Sequence, residues 1–138
     1  MKRLAVILGL VLIANVCIAQ NNNLESKIVT FNVESPPPYK GSPEKIEISV
    51  NDIQKIDSLP DLRPSYNLNY KIIRFEVWVN NSVGTKQNFC FGSAFSPVVS
   101  QVFKNTKSHA KFLIDGIVAK DLKTNKVISL QPLSIKVK

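Results

Sequence analysis

The sequence predicts a mostly β fold, an antiparallel two-layer β-sandwich-like domain carrying one short amphipathic helix. Three observations predict it. Apolar and polar residues alternate at period two in several short stretches, most clearly over residues 70–79 and 133–137. Turn-forming Asn, Asp, Gly and Pro recur between these stretches at short intervals. Only one segment, opened by Ser96-Pro97, has apolar residues at helical spacing, so the regular alternation of strands and helices that marks a parallel sheet is missing. A length of 138 residues suits a single domain.

Residues 27–33 form the first expected strand, with Val29, Phe31 and Val33 on its apolar face. The run Pro36-Pro37-Pro38, followed by Gly41 and Pro43, stops it, because proline donates no ladder hydrogen bond and holds the chain extended. A second strand covers residues 45–50 and turns Ile46, Ile48 and Val50 to one side. Asn51 then caps a single helical turn to Ile56, and Pro60 and Pro64 make residues 57–69 a loop. The strongest strand is residues 70–79. Its alternation points Ile73, Phe75, Val77 and Val79 one way and Ile72, Arg74, Glu76 and Trp78 the other. Asn80 to Gly84 carries hairpin chemistry, and residues 86–91 return as the partner strand. In the helix, Ser96 caps, Pro97 suits the first helical position, and Val98, Val99, Val102 and Phe103 share a face. Residues 109–120 and 126–138 are two more strands joined by the polar loop 121–125. Phe75, Val77, Val79, Phe112, Ile114, Leu133, Ile135 and Val137 are the expected core.

The first 19 residues read as a secretory signal peptide: Lys2 and Arg3, an apolar run from Leu4 to Ala14, then the small-residue exit Cys17-Ile18-Ala19. The apolar run is too short to span a bilayer, which takes about 20 residues. Cleavage after Ala19 leaves residues 20–26 as a flexible leader and residues 27–138 as one domain in the periplasm or secreted, without a membrane span. It also removes Cys17. Cys90 is then the one cysteine, so no internal disulfide is expected, and Cys90 is read as a small core residue, with an intermolecular disulfide or reactive thiol as the sharper alternative.

The formal net charge of +8 comes from lysines scattered among polar and apolar neighbours rather than gathered in a block. Nucleic-acid binding is therefore not expected, and solubilising lysines on strand edges account for the charge. No catalytic residue, metal ligand or cofactor-binding residue is assigned. One histidine, His109, and one mature cysteine cannot make the His and Cys sets that hold zinc. Gly92-Ser93-Ala94-Phe95-Ser96 lacks the closing glycine of a nucleophile elbow. The chain reads as a non-enzymatic module that binds or supports something. The candidate partner-binding residues are Arg74, Glu76 and Trp78, on the mixed face of the strongest strand. Trp78, the only tryptophan, is either a second-layer core residue under the helix of Val98, Val102 and Phe103 or an exposed anchor, since Trp and Arg are enriched where partners dock.

The order Tyr70-Lys71-Ile72-Ile73-Arg74-Phe75-Glu76-Val77-Trp78-Val79, Gly92-Ser93-Ala94-Phe95-Ser96, residues 112–120 and the ending Leu130-Gln131-Pro132-Leu133-Ser134-Ile135-Lys136-Val137-Lys138 resembles the C-terminal domain of the GldM family, gliding-motility and type IX secretion proteins of Bacteroidetes. The resemblance covers roughly residues 45–138. Residues 121–125 depart from the family's Gly-Pro-Asp-Gly turn. The resemblance implies a stand-alone β domain of the cell envelope serving assembly and protein contacts, associated with gliding or type IX secretion. A protein partner in the envelope is expected and a homodimer stays open. The alternative is a periplasmic binder of carbohydrate or another small ligand, or an enzyme inhibitor.

Overall fold

The computed structural model describes residues 35–81 and 83–138. The signal peptide, the leader and the strand expected over residues 27–33 lie outside the described residues. From Pro36 to Lys138 the chain forms one unit and is mostly β: strands β1 (Glu44–Ile48), β2 (Tyr70–Asn81), β3 (Gly84–Phe91), β4 (Lys111–Asp121), β5 (Val127–Ser129) and β6 (Leu133–Val137). Four helices accompany them: α1 (Val50–Ile53), α2 (Leu59–Leu62), α3 (Ser65–Asn69) and α4 (Pro97–Lys104).

All six strands belong to one sheet in the order β1-β6-β4-β2-β3, with β5 pairing the far half of β4. The mostly β class holds, while two finer expectations are corrected. The second layer is helical rather than a second sheet, and β1 pairs parallel to β6 instead of antiparallel. The reason lies in residues 50–69. Proline forbids a helix interior but is at home in the first turn or just before it, and Pro60 and Pro64 stand at those positions of α2 and α3. The expected loop is therefore two short helices. Ile53, Leu59 and Tyr66 from α1 to α3 join Val99 and Phe103 of α4 over one face of the sheet, in a single core with all eight predicted core residues. The cap of α1 is Ser49 rather than Asn51: its Oγ accepts from the Asp52 N–H at 3.1 Å.

Core aromatic rings form a ladder from sheet to helix. Phe75 of β2 meets Phe95 edge-to-face at 5.7 Å, Phe95 meets Phe103 at 5.0 Å, and Phe103 meets Phe112 of β4 at 5.0 Å. Ser96 caps α4 as expected, accepting from the Val99 N–H. Val98 does not face the core. It is 61% exposed, and the apolar stripe is Val99 and Phe103 with Val102 at its margin.

Two compensating bulges change the faces. Between Asp115 and Val118 β4 carries one extra residue against β2, and between Ile72 and Arg74 β2 carries one against β4. Gly116 takes the left-handed conformation at φ +57 that the first bulge needs. The second bulge inverts the expected alternation at the start of β2: Ile72 is buried and Ile73 exposed. The last expected strand is broken opposite the β4 bulge. Leu130-Gln131-Pro132 separates β5 from β6, and Leu130 N–H donates to Ile117 O at 2.8 Å.

Candidate functional site

Beyond the bulge β2 alternates strictly. Burial of Phe75, Val77 and Val79 forces Arg74, Glu76 and Trp78 onto the opposite, outer face of the sheet. The three predicted residues thus do share one surface. Cross-strand register sets their neighbours: Phe91 beside Arg74, Phe89 and Asp115 on either side of Glu76, Gln87 and Leu113 on either side of Trp78. Trp78 lies on the face away from α4, so of the two expectations for it the core residue under the helix is corrected. It is half-buried in the outer face, and its Nε1 is buried with no hydrogen-bond partner among the described residues.

Phe89 and Phe91 are the residues that sequence reasoning missed. In Phe89-Cys90-Phe91 the pleat sends only the middle residue inward. Cys90 pairs with Phe75 in register, is 1% exposed, and accepts through Sγ from the Ser96 N–H at 3.3 Å, which places it in the core as expected. Phe89 and Phe91 consequently stand 54% and 79% exposed on the outer face of β3, an edge strand. The available signal was the period-two pattern around one buried cysteine. Leu113, half-buried beside Trp78, completes an apolar patch across β3, β2 and β4.

Charge divides this face into two parts. On the β2–β4 side Glu76 and Asp115 stand directly opposite each other. Glu76 Oε2 accepts from Gln87 Nε2 at 2.7 Å, and Asp115 Oδ1 accepts from the Gly116 N–H at 2.7 Å. A Cβ at Gly116 would lie 3.3 Å from the Glu76 carboxyl, so the glycine leaves the room in which Glu76 packs. On the β4–β6–β1 side Lys111 stands directly opposite Lys136, with Lys45 opposite Ser134 one step away, around a hollow of about 370 Å³. Glu47, the carboxylate of this side, is paired with Lys138 at 2.5 Å. The Lys138 hydrogen bond and charge, with Lys136 adding to them, hold its carboxyl below the usual glutamate range.

Two other concavities lie off this face. An open groove of about 780 Å³ runs beside α4, lined by Val98, Val102, Ala110 and Phe112 with Gln101 and Asn105. A hollow of about 500 Å³ holds Tyr39, Tyr66 and Tyr70 with Asn69 and Gln131, where Tyr66 and Tyr70 stack edge-to-face at 5.9 Å. Burial pushes the Tyr66 hydroxyl above the ordinary tyrosine value.

His109 is exposed, in a left-handed turn at φ 68 before β4, beside exposed Ser108. Among the described residues no three His, Cys, Asp or Glu side chains gather as a metal site, and no helix is long and apolar enough to cross a membrane. Compared with the models of known protein families and with curated proteins, the chain matches none.

Proposed function

We propose that this chain is an exported, non-enzymatic protein-binding module of the cell envelope whose docking surface is the outer face of β2 and β3. The observation that carries the reading is the pair Phe89 and Phe91, 54% and 79% exposed and opposite Glu76 and Arg74 on the face that Trp78 shares. Two phenylalanines side by side on a solvent face cost solubility, and large aromatics with a neighbouring Arg are the residue types that anchor partners. Strand geometry supports the same site. Among the described residues β3 is an eight-residue edge strand without proline, and an edge strand can accept an extended partner segment through its main-chain groups. The signal pattern of residues 1–19 and the resemblance to the GldM C-terminal domain support an envelope setting and a tie to gliding or type IX secretion.

A photoreactive residue placed singly at Phe89, Phe91 or Trp78 of the full chain tests the site in living cells. The expected result is one cross-linked envelope protein from these positions and none from exposed Leu68 or Leu122. Equal labelling from all five positions would remove the docking surface. The small-ligand alternative rests on a different observation, the tyrosine-lined hollow with its two amides. A soluble glycan that binds the wild type but not Tyr70→Ala would favour it.

A further inference from the structure

The outer face carries two like-charge pairs, each flanked by an opposite charge: Glu47 of β1 stands opposite Lys136, and Arg74 lies beside Glu76 on the same face of β2. Lys111 faces Lys136, and Glu76 faces Asp115. Like charges directly opposite across strands are destabilising; Glu47 and Arg74 offset part of that, and leave one side of the face net basic and the other net acidic. The two clusters lie on either side of Leu113: Lys111 and Asp115 are its second neighbours along β4 on the same face, about 13 Å apart at strand spacing. Such a surface is complementary to itself. A two-fold axis in the plane of the face and passing near Leu113 exchanges the basic side with the acidic side.

We propose that the outer face seats a second copy of this chain, with Lys45, Lys111 and Lys136 of each copy over Glu76 and Asp115 of the other and Leu113 and Trp78 near the axis. The inference goes beyond the docking reading: it concerns the β1–β6–β4–β2 part of the outer face and a second copy, not the envelope protein docked at Phe89 and Phe91. A two-fold contact of this kind is isologous: each cluster meets its complement twice, and the contact closes without leading to fibres. Five strands about 4.8 Å apart offer an area at the small end of stable interfaces.

The experiment is sedimentation velocity on the full chain from 1 to 200 µM. The expected result is a monomer–dimer equilibrium that weakens as sodium chloride rises from 50 to 500 mM. Two double variants make the test specific to the clusters. Lys111→Glu/Lys136→Glu makes both clusters acidic and Glu76→Lys/Asp115→Lys makes both basic, so each alone should be monomeric. Their equimolar mixture should dimerise more tightly than either variant alone, because the substituted positions of one chain then meet the oppositely charged cluster of the other, with Lys45 alone left unchanged. If the Glu76→Lys/Asp115→Lys variant fails to fold, Lys111→Glu alone, at an exposed position, should weaken dimerisation at least tenfold. A wild type that stays monomeric at 200 µM overturns the proposal, as does dimerisation unchanged in Lys111→Glu. A monomer that still cross-links an envelope protein through Phe91 would overturn the dimer alone and leave the docking surface standing.

Discussion

The two faces of β2 are built by one stretch of twelve residues, yet physical chemistry treats them oppositely. Inward, Phe75, Val77 and Val79 are at most 8% exposed and meet an aromatic ladder that ties the sheet to α4. Outward, the neighbouring residues Arg74, Glu76 and Trp78 sit among exposed phenylalanines and opposed like charges. The inner face is consistent with itself at every position, as expected of a surface selected for folding. The outer face breaks several rules at once: exposed aromatics, a buried indole N–H without a partner among the described residues, and Lys facing Lys. These departures on one surface are what the proposed docking reading is built on.

The comparison is broken most directly from the inner side. Phe75→Ala removes a ring that is 1% exposed, and the cavity and lost burial should cost about 3 to 5 kcal/mol. The check is the midpoint of urea unfolding. An unchanged midpoint would mean that the inner face is not the one that holds the fold together. A smaller effect belongs to Gly116, which serves both faces. Gly116→Ala forces a side chain into φ +57 and against the Glu76 carboxyl, and the left-handed strain alone should cost about 1 to 2 kcal/mol. Thermal unfolding measures it.

Legibility from sequence followed the strength of the local rule. Alternation and turn chemistry located β2, β3 and α4 to within a few residues, because period two, an Asn/Gly turn and a Ser-Pro helix start act over short range. All eight predicted core residues are buried for the same reason. The bulges were hidden, since an extra residue in β4 is decided by pairing with β2, and Ile73 was assigned to the wrong face as a result. The helical second layer was hidden too, because one proline reads the same in a loop and in a first helical turn. In the site, Arg74, Glu76 and Trp78 were legible from alternation alone. Phe89, Phe91 and the lysine row were not, because Lys45, Lys111 and Lys136 are far apart in sequence and only β1–β6–β4 pairing assembles them.

The helical layer supplies a pH-dependent prediction that sharpens the contrast, since it stabilises the inner side only. The Asp61 carboxylate accepts from the Asp57 N–H at 2.8 Å and the Ser58 N–H at 2.9 Å. The Asp57 bond is the chief reason that its pKa lies below the ordinary aspartate value, against a smaller opposing effect of burial and with Ser58 adding to the lowering. A folded pKa below the unfolded one gives stability that is present above the unfolded pKa and is lost as pH falls through the folded pKa. Unfolding free energy should therefore decline on acidification below about pH 4, the unfolded aspartate range. Asp61→Asn should flatten part of that decline and cost roughly 1 kcal/mol at neutral pH. Urea titrations of both proteins between pH 2.5 and 7 show the difference. Identical pH profiles would mean that α2 is not held by this carboxylate.

The smallest expected effect on stability is the most informative about function. Phe91 is 79% exposed, so Phe91→Ser removes little buried area and should leave unfolding free energy within about 0.5 kcal/mol of wild type, as for most surface substitutions. On the proposed docking surface the same substitution takes away an aromatic anchor, and truncating a central residue of an interface costs about 2 kcal/mol or more of binding. At constant partner concentration that is a loss of about thirtyfold in affinity. Urea unfolding and quantitative capture of the partner cross-linked from Phe89 check the two halves together. A large loss of stability would move Phe91 into the core and erase the difference between the faces. Unchanged stability with unchanged capture would leave the exposed ring without a role and shift the search for the docking surface to the groove beside α4.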